Sequence, residues 1–413
     1  MIGNATLTRP TPLHAAPAER TLDYWRALPA AQQPAWAAEW LVDRVRSELA
    51  AAPSLVAWAD VDALRRLLAE VAAGRMLVVQ AGDCAEDPAE CEPTALSRKA
   101  GLLDALAGVL QFRTGRPVIR AGRLAGQFAK PRTRHTETVD GVDLPAFRGL
   151  MISGAEPDPL SRRPDPLRML TCYRAAAAAM DHLWRASSWC PRPHGPVWTS
   201  HEALVLDYEL PQVRHLSGGR LMLGSTHWPW IGDRTRQLDG AHVRLFSAIS
   251  NPVACKVGPG MSPEGLTELC AALDPDREPG RLTLIARLGA DLAAQRLPEL
   301  VAAARTAGHP VIWLCDPMHG NTVTAPDGRK TRRVDTIVRE VRDFQEAVTA
   351  AGGVAGGLHL ETTPYAVTEC VADAGELDRP RPDGTYTTLC DPRLNPEQAL
   401  AVVANWTGSP HTT

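Results

Sequence analysis

Eight short apolar runs, at residues 76–82, 117–122, 196–200, 227–232, 252–257, 282–287, 311–315 and 356–360, recur along this chain of 413 residues, with helical patterns between most of them. Parallel strands cannot be joined by tight turns and need long crossovers, so the rhythm predicts a parallel sheet, and its count predicts a closed (β/α)8 TIM barrel. Crossover helices are legible in Leu102–Leu110, Leu266–Leu273 and Val334–Val341, where apolar residues repeat at helical spacing. Upstream, residues 36–72 carry two apolar faces, Trp40, Leu41, Val45 and Leu49, then Val61, Leu64, Leu67, Leu68 and Val71. Asp60 is expected to cap the second of these helices and Gly74 to close it. One gap is irregular, residues 131–195, with a Pro/Arg/Asp-rich loop at 155–167 and an Ala-rich helix around 169–186. The expected organisation is a flexible extension over 1–20, a helical extension packed on the barrel over 21–74, and the barrel over 75–405. A single α/β core with extensions absorbs this length.

The formal net charge of -3 argues against nucleic acid or anionic membrane as a wholesale partner, but leaves room for small anions in a local basic pocket. No apolar run reaches the roughly 18 residues that suggest a spanning helix. The nine cysteines are odd in number and scattered, without a C-x-x-C pair, so a reducing, cytoplasmic location is expected. Only four lysines, Lys99, Lys130, Lys256 and Lys330, stand among 44 Lys and Arg residues. In a chain that otherwise uses Arg, a retained lysine marks a place that needs a compact ammonium.

Function in barrels gathers at the carboxyl ends of the strands. Cys84, His319, Glu361 and Asp391 each stand just past a run that reads as a strand, the last in Tyr386-Thr-Thr-Leu-Cys-Asp391. A thiolate, an imidazole and two carboxylates suit Mn, Fe, Co or Zn better than Mg or Ca, which prefer all-oxygen shells. Cys91, His201 and His359 are competing candidates. The second strand runs into Arg120-Ala-Gly-Arg-Leu-Ala-Gly-Gln-Phe-Ala-Lys-Pro-Arg-Thr-Arg134, where glycines let cations close on an anion. Arg123 and Lys130 flank apolar Leu124 and Phe128, whereas Arg132 and Arg134 read more as a solvated loop. With Arg234, Lys256 and Arg287 also ending strand-like runs, the mouth is expected to hold two phosphates, or a phosphate and a carboxylate. There is no dinucleotide fingerprint and no G-x-x-x-x-G-K-[ST] loop. Ser200, His201 and Glu202 have residue types used in hydrolysis, but strand neighbours point to opposite faces and cannot form a triad alone.

Several segments together resemble one family: Gln80-Ala-Gly-Asp-Cys-Ala-Glu86, Ala125-Gly-Gln-Phe-Ala-Lys-Pro-Arg132, Trp230–His242, Asn251-Pro-Val-Ala-Cys-Lys-Val-Gly-Pro259, Cys315-Asp-Pro-Met-His-Gly-Asn-Thr322 and Cys390-Asp-Pro-Arg-Leu-Asn395. The chain resembles the class II (plant-type) 3-deoxy-D-arabino-heptulosonate 7-phosphate (DAHP) synthases from about Tyr24 to Asn405. The resemblance implies condensation of phosphoenolpyruvate with erythrose 4-phosphate, the first step of the shikimate pathway. It implies Cys84, His319, Glu361 and Asp391 as ligands of a divalent metal, Mn2+ first, with Co2+, Fe2+ or Zn2+ as alternatives. Arg123, Asp233, Arg234, Lys256 and Arg287 fall on its phosphoenolpyruvate positions, and Lys130, Pro131, Arg132 and Thr133 on its aldose phosphate contact. Lys130, Lys256 and His319 are the expected catalytic set. A homo-oligomer, dimer or tetramer, and a chorismate mutase partner are further expectations.

Three departures from the family pattern stand out. Asp233 replaces the usual Glu, and Leu150 replaces the usual Asp after Arg148-Gly149. The link from Leu183 to Thr199 is compact, where longer relatives insert a helical pair that forms aromatic amino-acid sites. Weak or absent feedback by tryptophan and phenylalanine is therefore expected, as is a role in secondary metabolism. An aminoDAHP synthase acting on an imino sugar phosphate and a non-catalytic regulatory barrel are the alternative readings.

Overall fold

The computed structural model describes residues 19–139, 141–189, 196–379 and 384–407. Most of the expected flexible extension, residues 1–18, lies outside the described residues, and Glu19 already begins a helix, Glu19–Ala27. All eight expected strands form, with ends within two residues of those read from the sequence: β1 (Leu77–Gly82), β2 (Val118–Arg123), β3 (Val197–Glu202), β4 (Trp228–Ile231), β5 (Val253–Val257), β6 (Leu282–Ala286), β7 (Ile312–Cys315) and β8 (Val354–Glu361). Each pairs in parallel with its neighbour, and β8 pairs with β1 to close the barrel. β2, β3, β5 and β6 are buried at every residue. Burial on both sides makes such strands mainly apolar, although β2 also buries Arg120 and Arg123 and β3 buries the polar residues Thr199–Glu202: a parallel barrel strand is covered by helices outside and packed side chains inside.

Local chemistry sets the crossover boundaries. In the helix Pro93–Thr114 the Glu92 carboxylate accepts the N–H groups of Thr94 and Ala95, Pro93 fills the first turn, and Gly115 closes the end at φ +68°. The final helix, Pro396–Ala404, opens with a capping box in which Asn395 and Gln398 satisfy each other's backbone N–H groups.

Several local expectations need correction. The helix Glu39–Ala51 buries Val42, Val45 and Leu49, while Trp40 is 69% exposed; two residues from Val42 is about 200° around a helix, on the far side. Asp60 lies inside the first turn of Trp58–Ala72, whose cap is Ala57, because the helix starts three residues earlier than its apolar stripe. Gly74 does close that helix, at φ +74°. Tyr386–Asp391 forms no strand. Its N–H groups bond side chains instead of a ladder: Thr387 to Glu369, Cys390 to Thr388 Oγ1, and Asp391 to Cys84 Sγ. Of the compact link, the helix Leu167–Trp189 and the start of β3 are described, and residues 190–195 lie outside the described residues. Two hairpins, Thr136–Val139 with Val142–Pro145 and Thr322–Thr324 with Lys330–Arg332, interrupt the βα rhythm and contribute residues to a cavity at the mouth. No described helix is long and apolar enough to cross a membrane.

Candidate active site at the barrel mouth

Register places the first group of side chains. Gly82 at the end of β1 pairs with Arg123 on one side and Glu361 on the other. Gly82 has φ +149°, and a Cβ there would lie 2.6 Å from the Arg123 carbonyl oxygen, so only glycine fits this crossing. Two residues on, Cys84 Sγ lies with carboxylate oxygens of Glu361 and Asp391 in a group whose members are within 4.8 Å of one another. His319, four residues past β7, brings Nε2 to 3.0 Å from Glu361 Oε1. Its Nδ1 is 2.8 Å from Asp316 Oδ2, and this carboxylate contact orients the ring.

The donor set fits a divalent first-row ion. Burial, a hydrogen bond with Cys390 and the charge of Glu361 push the Cys84 thiol well above its usual range, so a thiolate at this position calls for a cation beside it. Burial opposes ionisation of Glu361, but His319, Lys130 and Arg332 outweigh it and hold the carboxyl well below the usual range. Lys130 Nζ touches Cys84 Sγ and Asp391 Oδ2. Burial disfavours its ammonium, yet Asp391, Cys84 and Glu361 hold its pKa well above the ordinary lysine value.

Arg123 is fixed from inside the barrel. Its Nη2 lies 3.1 Å from Glu361 Oε1 and its Nε donates to the Asp83 carbonyl at 3.0 Å. Its Nη1 meets His359 Nε2, and His359 Nδ1 lies 2.5 Å from Gln80 Oε1. Gln80 Nε2 donates to Ser200 Oγ at 2.7 Å, and Ser200 donates to the Trp228 carbonyl. With Nδ1 of His359 protonated, every bond in this buried chain runs in one direction. The face of Trp230 lies 5.3 Å from the Arg123 guanidinium and 5.9 Å from Lys256 Nζ. Lys256 reaches Asp316 Oδ2 at 3.0 Å; burial lowers its pKa despite that partner. Asp233 braces the next strands, accepting from Arg287 Nη1 at 3.1 Å and from the Gly258 N–H at 3.1 Å.

Above these lies a cavity of about 760 Å³ whose lining includes Lys130, Pro131, Arg132, Thr133, Asp233, Arg234, Lys256, Arg287, His319 and Asp391. Arg123 is buried beside Glu361 and is not part of the lining. The 130–133 loop is held from a distance. Gln32 Oε1 accepts the Arg132 N–H at 3.0 Å, while the Arg148 guanidinium bonds the carbonyls of Gln32 and Gln33 and the Arg148 carbonyl accepts the Lys130 N–H at 2.9 Å. Gln32 takes φ +63° to do this, a conformation that non-glycine residues seldom adopt. All four lysines bear on the architecture: Lys130, Lys256 and Lys330 line the cavity, and Lys99 is buried against Asp83 at 2.7 Å and Glu90 at 2.8 Å.

The model of the class-II DAHP synthetase family matches residues 20–190 and 193–405. The chain belongs to this family. Among curated relatives, a Pseudomonas fluorescens protein named a probable phospho-2-dehydro-3-deoxyheptonate aldolase is 54% identical over 383 residues, covering 92% of this chain and 95% of the relative. A Streptomyces coelicolor phospho-2-dehydro-3-deoxyheptonate aldolase is 38% identical, covering 91% and 94%. The solved structure of the Francisella tularensis SCHU S4 phospho-2-dehydro-3-deoxyheptonate aldolase covers 96% of both chains with a TM-score of 0.50 at 14% identity, a likeness of fold.

Within this class-II DAHP synthetase chain, sequence reasoning missed Asp316, Gln80, Gln32 and the inward role of Glu202. Asp316 had a signal, the i, i+3 spacing to His319. Glu202 also had one: alternation that separates His201 from its neighbours puts Ser200 and Glu202 on the same face. His201 accordingly turns away to Glu209, 2.9 Å from its Nε2. Gln32 had none.

Proposed function

We infer that the chain is a 3-deoxy-7-phosphoheptulonate synthase, joining phosphoenolpyruvate, erythrose 4-phosphate and water into DAHP and inorganic phosphate. The observation that carries this reading is the soft and hard donor group set beside one cavity that also holds two sets of cations. Arg234, Lys256 and Arg287, with Arg123 beneath, take the phosphate and carboxylate of phosphoenolpyruvate. Lys130, Arg132 and Thr133, with the Pro131 turn between them, take the aldose phosphate. Holding C3 of the enol against the aldehyde carbon turns a two-body encounter into an intramolecular one, and the fixed cations stabilise charge without reorganising.

Cys84, His319, Glu361 and Asp391 would hold a divalent ion, Mn2+ or else Co2+, Fe2+ or Zn2+. Such an ion supplies Lewis-acid polarisation of the aldehyde. The Lys130 ammonium, against two of these ligands, adds positive charge on that side. We place the enzyme in the cytoplasm, without aromatic feedback and in the service of secondary metabolism, as a homodimer or homotetramer with a chorismate mutase as partner; light scattering with and without such a mutase reads the assembly. Purified protein given both substrates and Mn2+ should release phosphate and a product with the mass of DAHP. Turnover of an imino sugar phosphate with no DAHP formed would move the assignment to an aminoDAHP synthase.

A further inference from the structure

Lys99 is buried but lies outside the cavity that the other three lysines line. It rises from the helix Pro93–Thr114, with Nζ 2.7 Å from Asp83 Oδ2, 2.8 Å from Glu90 Oε2 and 3.8 Å from Glu86 Oε1. The other oxygen of Asp83 accepts from Arg393 Nη1 at 2.7 Å. The rest of that guanidinium closes on Glu369, with Nη2 2.8 Å from Oε1 and Nε 3.1 Å from Oε2, and Nη2 also donates to Thr387 Oγ1 at 2.8 Å. Lys99, Asp83, Arg393 and Glu369 thus form a continuous run of alternating charge, all of it buried. Charges taken this far from water are costly to assemble, and no step of the chemistry inferred above draws on them.

What this run joins gives it a use. Asp83 immediately precedes Cys84, and Arg393 follows Asp391 by two residues. Backbone bonds tie the end of β8 to both neighbours: the Gly82 carbonyl accepts the Thr362 N–H at 2.8 Å, and the Glu361 carbonyl accepts the Leu394 N–H at 2.9 Å. Cys84 and Asp391 are 307 residues apart in sequence, and among the described residues no bond from backbone to backbone joins their two segments directly. The Arg393 fork spans that gap. One arm holds the residue before Cys84; the other holds Glu369 and Thr387, while the Arg393 N–H bonds Glu369 Oε2 at 2.7 Å. The stretch from Thr387 to Arg393, which has no ladder, is thereby held at both ends.

We propose that the Asp83–Arg393 pair, backed by Lys99 and Glu369, sets the spacing of Cys84 and Asp391 for a divalent ion, an inference resting on the metal reading of this site. All four are positioning residues, since none lines the cavity. Lys99 keeps Asp83 paired on the side away from Arg393, and Glu369 fixes the plane of the guanidinium. The position of β1 and of the helix Pro93–Thr114 is passed in this way to a segment that no strand supports. Groups that orient metal ligands matter about 10- to 100-fold in metal affinity.

Arg393→Lys tests the geometry with the charge retained, because an ammonium on a flexible stem cannot hold Asp83 and Glu369 in the fixed fork of a guanidinium. Calorimetric titration of the full chain with Co2+ should show a dissociation constant raised about 10- to 100-fold. The thiolate-to-cobalt absorption band, which reports the Cys84 bond, should weaken at saturating Co2+. Asp83→Asn keeps the shape, removes the charge and should shift the constant in the same direction. A pair that serves folding alone would lower the melting temperature of the Lys variant and leave its Co2+ constant within about threefold of wild type, well short of the change expected of a ligand-orienting group; that result overturns the proposal. Should the Lys variant melt too early to titrate, the Asn variant decides by the same threshold: a larger rise supports the tie, and a smaller one overturns it. Wild-type protein run alongside separates the two readings. If no thiolate-to-cobalt band develops there, the metal reading of Cys84 itself falls; a band in wild type with unaltered affinity in the variants removes the tie alone.

Discussion

At the inner end of the cavity Arg123 and Lys256 rise from barrel strands, Arg287 follows β6 directly, and other strand side chains hold Arg123 below; at the outer end Arg132 and Thr133 ride a loop steadied by Gln32, 100 residues away in sequence. The inner support is a run of buried bonds through His359, Gln80 and Ser200. The outer support includes partly exposed contacts to a glutamine in an unfavourable backbone conformation. Strand-borne groups are placed by the whole barrel, whereas loop-borne ones depend on a few local bonds and tolerate exchange. On the proposed reading, the chemistry of the enol end is built into the scaffold, and the choice of sugar phosphate is left to parts that can change without refolding it.

Experiments can break that contrast, starting with the largest effect. His319→Ala should lower turnover by more than about 1,000-fold, on the scale of other lost catalytic groups, with an unchanged melting temperature by calorimetry; an active variant would remove His319 from the proposed ligand set. Gln80→Leu should raise KM for phosphoenolpyruvate about tenfold, the scale of a buried partner left unsatisfied, and leave KM for erythrose 4-phosphate alone. Equal changes in both constants would show that the interior chain serves the barrel as a whole. Gln32→Ala should do the reverse and more weakly, raising KM for erythrose 4-phosphate about threefold for one lost hydrogen bond. The smallest effect is a null: tryptophan and phenylalanine at millimolar concentration should leave initial rates unchanged, and tight inhibitory binding by calorimetry would show that a feedback site survives the compact link.

Much of the fold was legible because barrel strands are buried on both sides, so most leave a short, mainly apolar run; β3, polar from Thr199 to Glu202, is the weakest of them. Cys84, His319 and Glu361 could be placed near strand ends for the same reason. Asp391 was legible as a residue type but not as structure, since its segment is pinned by Glu369, Thr388 and Cys84 side chains rather than by a ladder. Trp40 misled because composition suggested burial where phase around the helix did not. Glu202 was dismissed with its tripeptide, although period-two alternation already placed it with Ser200. Gln32 could not have been found, because its contact spans the chain and leaves no local pattern.

The scarcity of lysine carries a practical consequence. Side-chain exposure is 4% at Lys99, 9% at Lys130 and 7% at Lys256, against 45% at Lys330. Amine-selective labelling at a lysine side chain should therefore attach a single tag, at the rim beside Asp391, where a fluorophore would sense substrates entering and products leaving.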